Sequence, residues 1–103
     1  MTNEEAVLLL ADDHGDGAAL IAISQNSGNT LRVAIERYFS GRSTCKKALL
    51  TLLVRISQRA KYFMLGHDDA DQWIQQCADQ ECRRLRNEAE RRRSAPEQVS
   101  DGF

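Results

Sequence analysis

The chain has 103 residues and a formal net charge of −1, so it has the size of one domain and is not a uniformly basic protein. No apolar run approaches the roughly 20 residues of a membrane-spanning helix. The opening MTNEEAVLLL has none of the basic residues that begin a secretory signal. We therefore expect a single cytoplasmic domain.

Four glycines divide the chain into five segments with helical apolar periodicity, and they stand at positions 15, 28, 41 and 66. A glycine just past a helix end readily adopts the left-handed backbone conformation found there. The predicted helices span residues 3–13, 17–26, 30–40, 44–65 and 69–93. Thr2 and Glu5 predict a capping box for the first helix. Asp68 or Asp69 is the predicted N-cap of the fifth.

These segments predict an all-α fold, a compact bundle of about five helices. The fourth is the expected long central helix, because its apolar residues recur every three to four positions. They are Cys45, Leu49, Leu52, Leu53, Ile56, Ala60 and Phe63. The fifth is expected to pack only as far as Leu85, so that its charged C-terminal part projects into solvent. Residues 1–93 would form one helical domain and residues 94–103 a disordered tail. One alternative stays open, since GAALIAIS at residues 17–24 also fits a buried strand.

Charge is distributed along the chain in blocks of alternating sign. Residues 1–31 hold five acids and no base, and residues 62–82 repeat that composition. Residues 32–61 hold eight bases and one acid, whereas residues 83–93 hold six bases and two acids. Local pairing cannot neutralise the 32–61 block, because Glu36 is its only acid. The block therefore predicts a surface for an anionic partner, unless the acidic segments neutralise it across the fold.

The stretch RYFSGRSTCKKALLTLLVRISQRAK at residues 37–61 carries seven cations and no acid. Such a surface suits the phosphates of a nucleic-acid backbone, which it would bind independently of base sequence. Tyr38, Phe39 and Tyr62 could stack on bases if they are exposed. The predicted nucleic-acid-binding residues are Arg37, Arg42, Lys46, Lys47, Arg55, Arg59 and Lys61.

The arginines of residues 83–93 allow two interpretations. Asp79 with Arg83, and Glu88 with Arg92, are favourable pairs one helical turn apart. Cations also suit the C-terminal end of a helix because they oppose its dipole. These arginines therefore fit a solvated helix end at least as well as a binding site.

No group of residues indicates catalysis or metal binding. His14 and His67 have no Ser or Cys partner in a recognisable catalytic motif, and the three cysteines lack the CxxC or CxxH spacing of zinc sites. DDHGDG at residues 12–17 begins like a calcium loop, but Ile23 stands where that loop needs a bidentate Glu. We expect no enzyme activity, cofactor or metal, and free thiols as in a reducing cytoplasm.

The segment ERYFSGRSTCKKALLTLLVRISQ at residues 36–58 resembles a helical segment near the C-terminus of the type I-C CRISPR Cascade large subunit. That region is also made separately as the small subunit of the complex. The resemblance lies in an acid-Arg-Tyr-aromatic start and in a helix end with a basic residue, an aliphatic residue, Ser and Gln. The matching residues are Glu36, Arg37, Tyr38, Phe39, Leu52, Leu53, Arg55, Ile56, Ser57 and Gln58.

The resemblance implies a non-catalytic, all-helical subunit of an RNA-guided surveillance complex in antiviral defence. Such a subunit would be present in several copies, would stack with neighbouring subunits and would contact the backbone of target or displaced DNA. Base pairing, and not the protein, would read the sequence.

Two further functions remain open from the residues. One is a small helical adaptor or inhibitor, of phage or bacterial origin, that acts by protein–protein contact without binding nucleic acid. The other is a helix-turn-helix DNA-binding protein, in which the second and third predicted helices are joined by the turn SGN. Asn29 and Arg37 disfavour it, since they stand where that motif usually packs apolar residues.

Overall fold

The structure is a computed structural model that describes the backbone of residues 1–101 and the side chains of residues 1–92. The chain order is α1 (Asn3–Asp12), α2 (Gly17–Glu36), α3 (Arg42–Arg59), a 3₁₀ turn (Ala60–Tyr62) and α4 (Ala70–Asp101). No strand occurs in the described backbone, so the fold is all-α and residues 17–24 are helical. None of the described helices combines the length and apolar composition of a membrane span.

The start of α1 and the turn to α2 follow the predicted local chemistry. The Thr2 hydroxyl accepts a hydrogen bond from the Glu5 amide at 3.1 Å, and the Glu5 carboxylate accepts one from the Thr2 amide at 2.9 Å. This is the predicted capping box. Asp16 caps α2 by accepting a hydrogen bond from the Ala19 amide at 3.0 Å. Residues 13–16 are therefore a turn between helices.

The predicted second and third helices are one helix, α2, which corrects the count from five helices to four. Ile23, Ser27 and Leu31 are all buried, so the packed face continues without a break past Gly28. Gly28 does not adopt a positive φ. Packing of this face outweighs the cost of about 1 kcal/mol for a glycine inside a helix. The proposed helix-turn-helix is also wrong, because its turn lies inside α2.

The predicted fourth helix is too long at its C-terminal end. It ends as α3 at Arg59, and the chain continues through the 3₁₀ turn into a loop in which Gly66 has a φ of 84°. The carboxylate of Asp69 then accepts hydrogen bonds from the amides of Asp71 and Gln72, as expected of the N-cap of α4. The longest helix is consequently α4 and not the predicted central one. The predicted tail at 94–103 falls on residues whose side chains are not described, so it stays a prediction.

Buried side chains from all four helices form one core. Its largest fully buried members are Val7, Leu10, Ile23, Leu31, Ile35, Leu52, Ile56, Ile74 and Cys82. The predicted apolar stripe of α3 is confirmed, since each of its seven residues is buried or packs against the core.

Side-chain contacts give the relative directions of the helices. Near the start of α4, the Asn3 amide donates to both Ser27 of α2 and Asp71 of α4, at 2.8 and 2.7 Å. Further along both helices, Arg83 of α4 contacts Tyr38, just after the end of α2. Helices α2 and α4 therefore run side by side in the same direction, and α3 runs back along them.

Candidate nucleic-acid interface

The seven predicted nucleic-acid-binding residues do not share one surface. Arg37 follows the last residue of α2, and Lys61 lies in the 3₁₀ turn. The other five are distributed along the 18 residues of α3, a length of about 27 Å. The residues separate into four places.

Arg55 and Arg59 are directed toward α4. The Arg55 guanidinium donates a hydrogen bond to a carboxylate oxygen of Glu81 at 3.2 Å. The Arg59 guanidinium donates to the side-chain oxygen of Gln80 at 2.9 Å. Arg55 is therefore paired with an anion inside the protein and is not available to a phosphate.

We call Glu81, Arg55 and Arg84 the Glu81 centre. Only 3% of the Glu81 side chain is exposed, and its two oxygens accept hydrogen bonds from both arginines. The hydrogen bonds from Arg84, followed by the charge of Arg55, hold the pKa of Glu81 below its ordinary value. Arg84 also pairs with Glu88 at 2.7 Å. Glu81 stands on the apolar face of α4, where it is a buried anion that joins α3 to α4.

Lys61 lies at the opposite end of α2 from Arg37. It lines a cavity of about 290 Å³ together with Asp12 and His14, next to the turn between α1 and α2. Its ammonium is 5.3 Å from the centroid of the Tyr62 ring. Lys61 is thus separated from the cations near the turn between α2 and α3 and is close to the first acidic block.

Tyr38 brings the two basic blocks of the sequence together. The phenol oxygen of Tyr38 lies 3.4 Å from the guanidinium Nε of Arg83, and the guanidinium carbon of Arg86 lies 5.0 Å from the centre of its ring. The hydrogen bond to the phenol raises the pKa of Arg83. Arg83 and Arg86 belong to the block that the sequence left undecided between helix end and binding site.

We call Arg37, Arg42, Arg83 and Arg86 the cationic end of the molecule. All four side chains are exposed. Arg37 and Arg42 make no hydrogen bond or ion pair to other described side chains, while Arg86 is 3.9 Å from Glu90. Glu36 lines the same cavity as Arg42, and the charge of Asp79 acts on Arg83. The four arginines therefore have three acids near them, Glu36, Asp79 and Glu90, and keep a small positive excess.

The surface between α2 and α3 at this end is concave. A cavity of about 630 Å³ is lined by Arg32, Arg42 and Glu36 together with the turn residues that follow α2. Phe39 and Cys45 form its apolar part. Arg32 donates to the side chain of Asn29 at 2.7 Å, which holds it beside α2.

The aromatic residues do not form the predicted stacking surface. Tyr38 and Phe39 are half-buried and pack against the core. Tyr62 is 68% exposed, but it follows α3 and stands far from the cationic end. Base stacking on this group is therefore not supported, and Tyr38 instead positions two arginines.

Acids collect at the other end of α2. Asp12, Asp13 and Asp16 precede this helix, and Arg37 follows it. Its 20 residues separate the two groups by about 30 Å. The near-zero net charge therefore conceals two ends of opposite sign.

Lys46 and Lys47 lie on a fourth surface, the outer face of α3, which we define as Lys46, Lys47, Leu50, Val54 and Gln58. All five side chains are exposed, with Leu50 at 56% and Val54 at 53%. The face therefore combines cations with an apolar pair.

The thiols have the character of buried structural cysteines. Burial raises the pKa of Cys77, and burial together with the nearby carboxylates raises that of Cys82 to about 11. Both are consequently protonated at neutral pH and are weak nucleophiles. All three cysteines are free. Within residues 1–92, no group of three His, Cys, Asp or Glu side chains is placed to hold a metal ion.

No family model matches the chain, and neither the curated proteins nor the solved structures include a match. The resemblance of residues 36–58 to a CRISPR Cascade segment therefore stays a prediction. The candidate function depends on the geometry of the chain itself.

Proposed function

We propose that this protein is a non-catalytic helical subunit that binds the backbone of nucleic acid through its cationic end. The observation that carries the proposal is the contact of Arg83 and Arg86 with Tyr38. Through this contact, Arg83 and Arg86 of α4 lie beside the turn that carries Arg37 and Arg42. Two distant parts of the sequence therefore contribute to one cationic surface.

The chemistry of the cationic end fits phosphates. Guanidinium groups present planar sets of donors that match phosphate oxygens in pairs. The four arginines are exposed and have no buried carboxylate partner, unlike Arg55 in the Glu81 centre. Binding of this kind is electrostatic and weakens as salt releases the counterions of the nucleic acid. The proposal therefore predicts binding that depends strongly on salt and little on base sequence.

The CRISPR resemblance supplies a biological setting for this proposal. In an RNA-guided complex, the guide reads the target by base pairing, and protein subunits hold the DNA strands by their backbones. A small helical subunit with a cationic end would contact target or displaced DNA there, in several copies per complex. This setting is part of the proposal.

The proposal is tested by titrating the protein with fluorescently labelled single- and double-stranded DNA over a series of salt concentrations. The slope of log K against log salt is expected to be about −3, because each neutralised phosphate contributes about −0.7 to −0.9. The double variant Arg83→Gln, Arg86→Gln should lose at least tenfold in affinity at low salt and give a shallower slope.

A charge-matched control separates the cationic end from net charge. Arg59→Gln, Lys61→Gln removes the same number of cations but leaves the cationic end intact, so its affinity should stay within about twofold. The proposal is wrong if the wild-type protein does not bind DNA at the lowest salt. It is equally wrong if both double variants weaken binding by the same factor.

A helical adaptor without nucleic-acid contact is the second candidate function. The observation that favours it is the exposed pair Leu50 and Val54, which lie one turn apart in the middle of α3 beside the exposed Lys46 and Lys47. A stoichiometric protein partner should then co-purify after nuclease treatment. Recovery of the protein alone, from its native cells and at low salt, would count against this candidate.

A further inference from the structure

The outer face of α3 has the pattern of a helix-docking surface. Leu50 and Val54 are four residues apart, so their side chains are neighbours on one side of the helix. Both are more than half exposed, although the other aliphatic residues of α3 are buried or half-buried. Lys46 and Lys47 precede this pair by about one turn, and Gln58 follows it. The result is an apolar centre with two cations at one edge.

The cations of this face are not used within the described part of the chain. The ammonium groups of Lys46 and Lys47 make no hydrogen bond or ion pair to any described side chain. Helix α3 itself contains no acid in its 18 residues, so pairing along the helix cannot occur. The lysines are therefore available to carboxylates from outside, while Leu50 and Val54 are available to apolar side chains.

The charge of α3 argues against a symmetric contact between two copies of this face. A two-fold interface brings the same surface of both protomers together. With the two helices parallel, it would place Lys46 and Lys47 of one copy beside the same lysines of the other, with no acid on either helix. Like charges placed opposite each other in an interface disfavour that pairing.

A phosphate surface fits this face less well than an acidic protein segment does. Leu50 and Val54 would remain against charged phosphates and would gain nothing from burial. An amphipathic helix can bury both residues with its own apolar side chains and still pair its acids with the lysines. Such recognition of an amphipathic helix through apolar anchors one turn apart is a recurring mode of protein binding.

We infer that the outer face of α3 docks an amphipathic helix of a protein partner, with apolar residues at three- and four-residue spacing and Asp or Glu beside them. The inference rests on the second candidate function and gives its partner a chemistry. The cationic end takes no part in it, so a single protein could bind both DNA and this partner.

The probe for the test is a fluorescent helical peptide of about four turns, with leucines along one face and glutamates flanking them. A matched peptide carries lysines in place of the glutamates and keeps every leucine. Fluorescence anisotropy should show saturable binding of the acidic peptide and at least tenfold weaker binding of the basic one. The first result tests for docking, and the difference between peptides tests the role of charge.

Two protein variants locate the binding to the face. Leu50→Ser, Val54→Ser should weaken binding of the acidic peptide at least tenfold, and Lys46→Gln, Lys47→Gln should weaken it several-fold. Ile21→Ser is the control, because Ile21 is 58% exposed on α2 and lies outside the face. Its affinity should equal that of the wild-type protein. Circular dichroism of each variant confirms that the helices remain.

Four outcomes overturn the inference. The first is a lack of saturable binding of the acidic peptide, and the second is equal affinity for the acidic and basic peptides. The third is an equal loss of affinity in the α3 variants and in Ile21→Ser. The fourth is concentration-dependent self-association of the protein that Leu50→Ser, Val54→Ser abolishes. The last outcome would assign the face to a second copy. If a partner co-purifies and still binds the Leu50→Ser, Val54→Ser protein, the adaptor function stands and only this docking face fails.

Discussion

The Glu81 centre and the cationic end use arginines in opposite ways. In the centre, a carboxylate that is 3% exposed holds Arg55 and Arg84 by hydrogen bonds and joins α3 to α4. At the cationic end, Arg83 is next to the phenol oxygen of Tyr38, and Arg86 lies over the ring of the same residue. Arg37 and Arg42 have no partner among the described side chains. Neighbouring arginines in the sequence, Arg83 and Arg84, belong to different regions.

The difference shows that the local partner, and not the number of cations in a segment, determines what an arginine can bind. An arginine that is paired with a buried carboxylate contributes to folding, because separating the pair leaves a buried charge. An exposed arginine beside the half-buried Tyr38 keeps most of its donors available. We therefore expect substitutions in the Glu81 centre to affect stability and substitutions at the cationic end to affect binding.

The largest expected effect on stability comes from Glu81→Gln. This change removes the anion from the Glu81 centre, and breaking a buried ion pair typically costs 3–5 kcal/mol. Arg55 and Arg84 are 34% and 41% exposed and can regain water, so we expect a loss of about 2 kcal/mol. Urea denaturation measures it. Glu88→Gln removes a more exposed partner of Arg84 and should cost less than about 1 kcal/mol; equal losses would contradict the distinction between the two carboxylates.

The next effect appears in acid. The pKa of Glu81 is lowered from an ordinary value of 4.5, so its stabilising contribution is fully present above that pH and disappears as pH falls through the folded-state pKa. The difference in unfolding free energy between wild type and Glu81→Gln should shrink steadily below about pH 4.5. Taking the difference removes the contribution of the other carboxylates. A difference that stays constant down to pH 3 would show that the pKa of Glu81 is not coupled to folding in this way.

The smallest effect is expected at Tyr38. Its phenol oxygen is 3.4 Å from Arg83, a long hydrogen bond, so Tyr38→Phe should leave the melting temperature and the DNA affinity unchanged. Tyr38→Leu removes the ring from Arg86, and loss of an exposed cation–π contact costs about 0.5–1 kcal/mol. The Leu variant should also bind DNA more weakly. If Phe weakens DNA binding as much as Leu does, the hydroxyl and not the ring organises the cationic end.

The sequence predicted helix chemistry well wherever that chemistry is local. The capping box of Thr2 and Glu5 and the cap at Asp69 depend on residues within one turn. The glycines show the limit of such reasoning. Gly41 and Gly66 have positive φ values and stand between helices, whereas Gly28 is inside α2. Packing of Ser27 and Leu31 against other helices determines the conformation of Gly28. The identity of the glycine alone does not predict that packing.

The candidate site was predicted less well, because it depends on contacts between distant segments. The pairing of Arg55 with Glu81 joins residues 26 positions apart, and the contact of Arg83 with Tyr38 joins residues 45 positions apart. The sequence contained one useful signal for the first contact: Glu81 is an acid on an otherwise apolar helical face. Such a residue requires a cationic partner when it is buried, and both basic blocks supply one: Arg84 from residues 83–93 and Arg55 from residues 32–61.

The acids that precede α2 and the arginines that follow it give the side-chain charges a dipole along this helix despite the formal charge of −1. A polyanion attracts the end that follows α2 and repels the end that precedes it, so its field exerts a torque on an approaching protein. Under the proposed function, rotation into the binding orientation would begin before contact, at separations comparable to the Debye length of about 8 Å in physiological salt. The dipole would thus favour encounters in which Arg37 and Arg42 are the first residues to contact the polyanion.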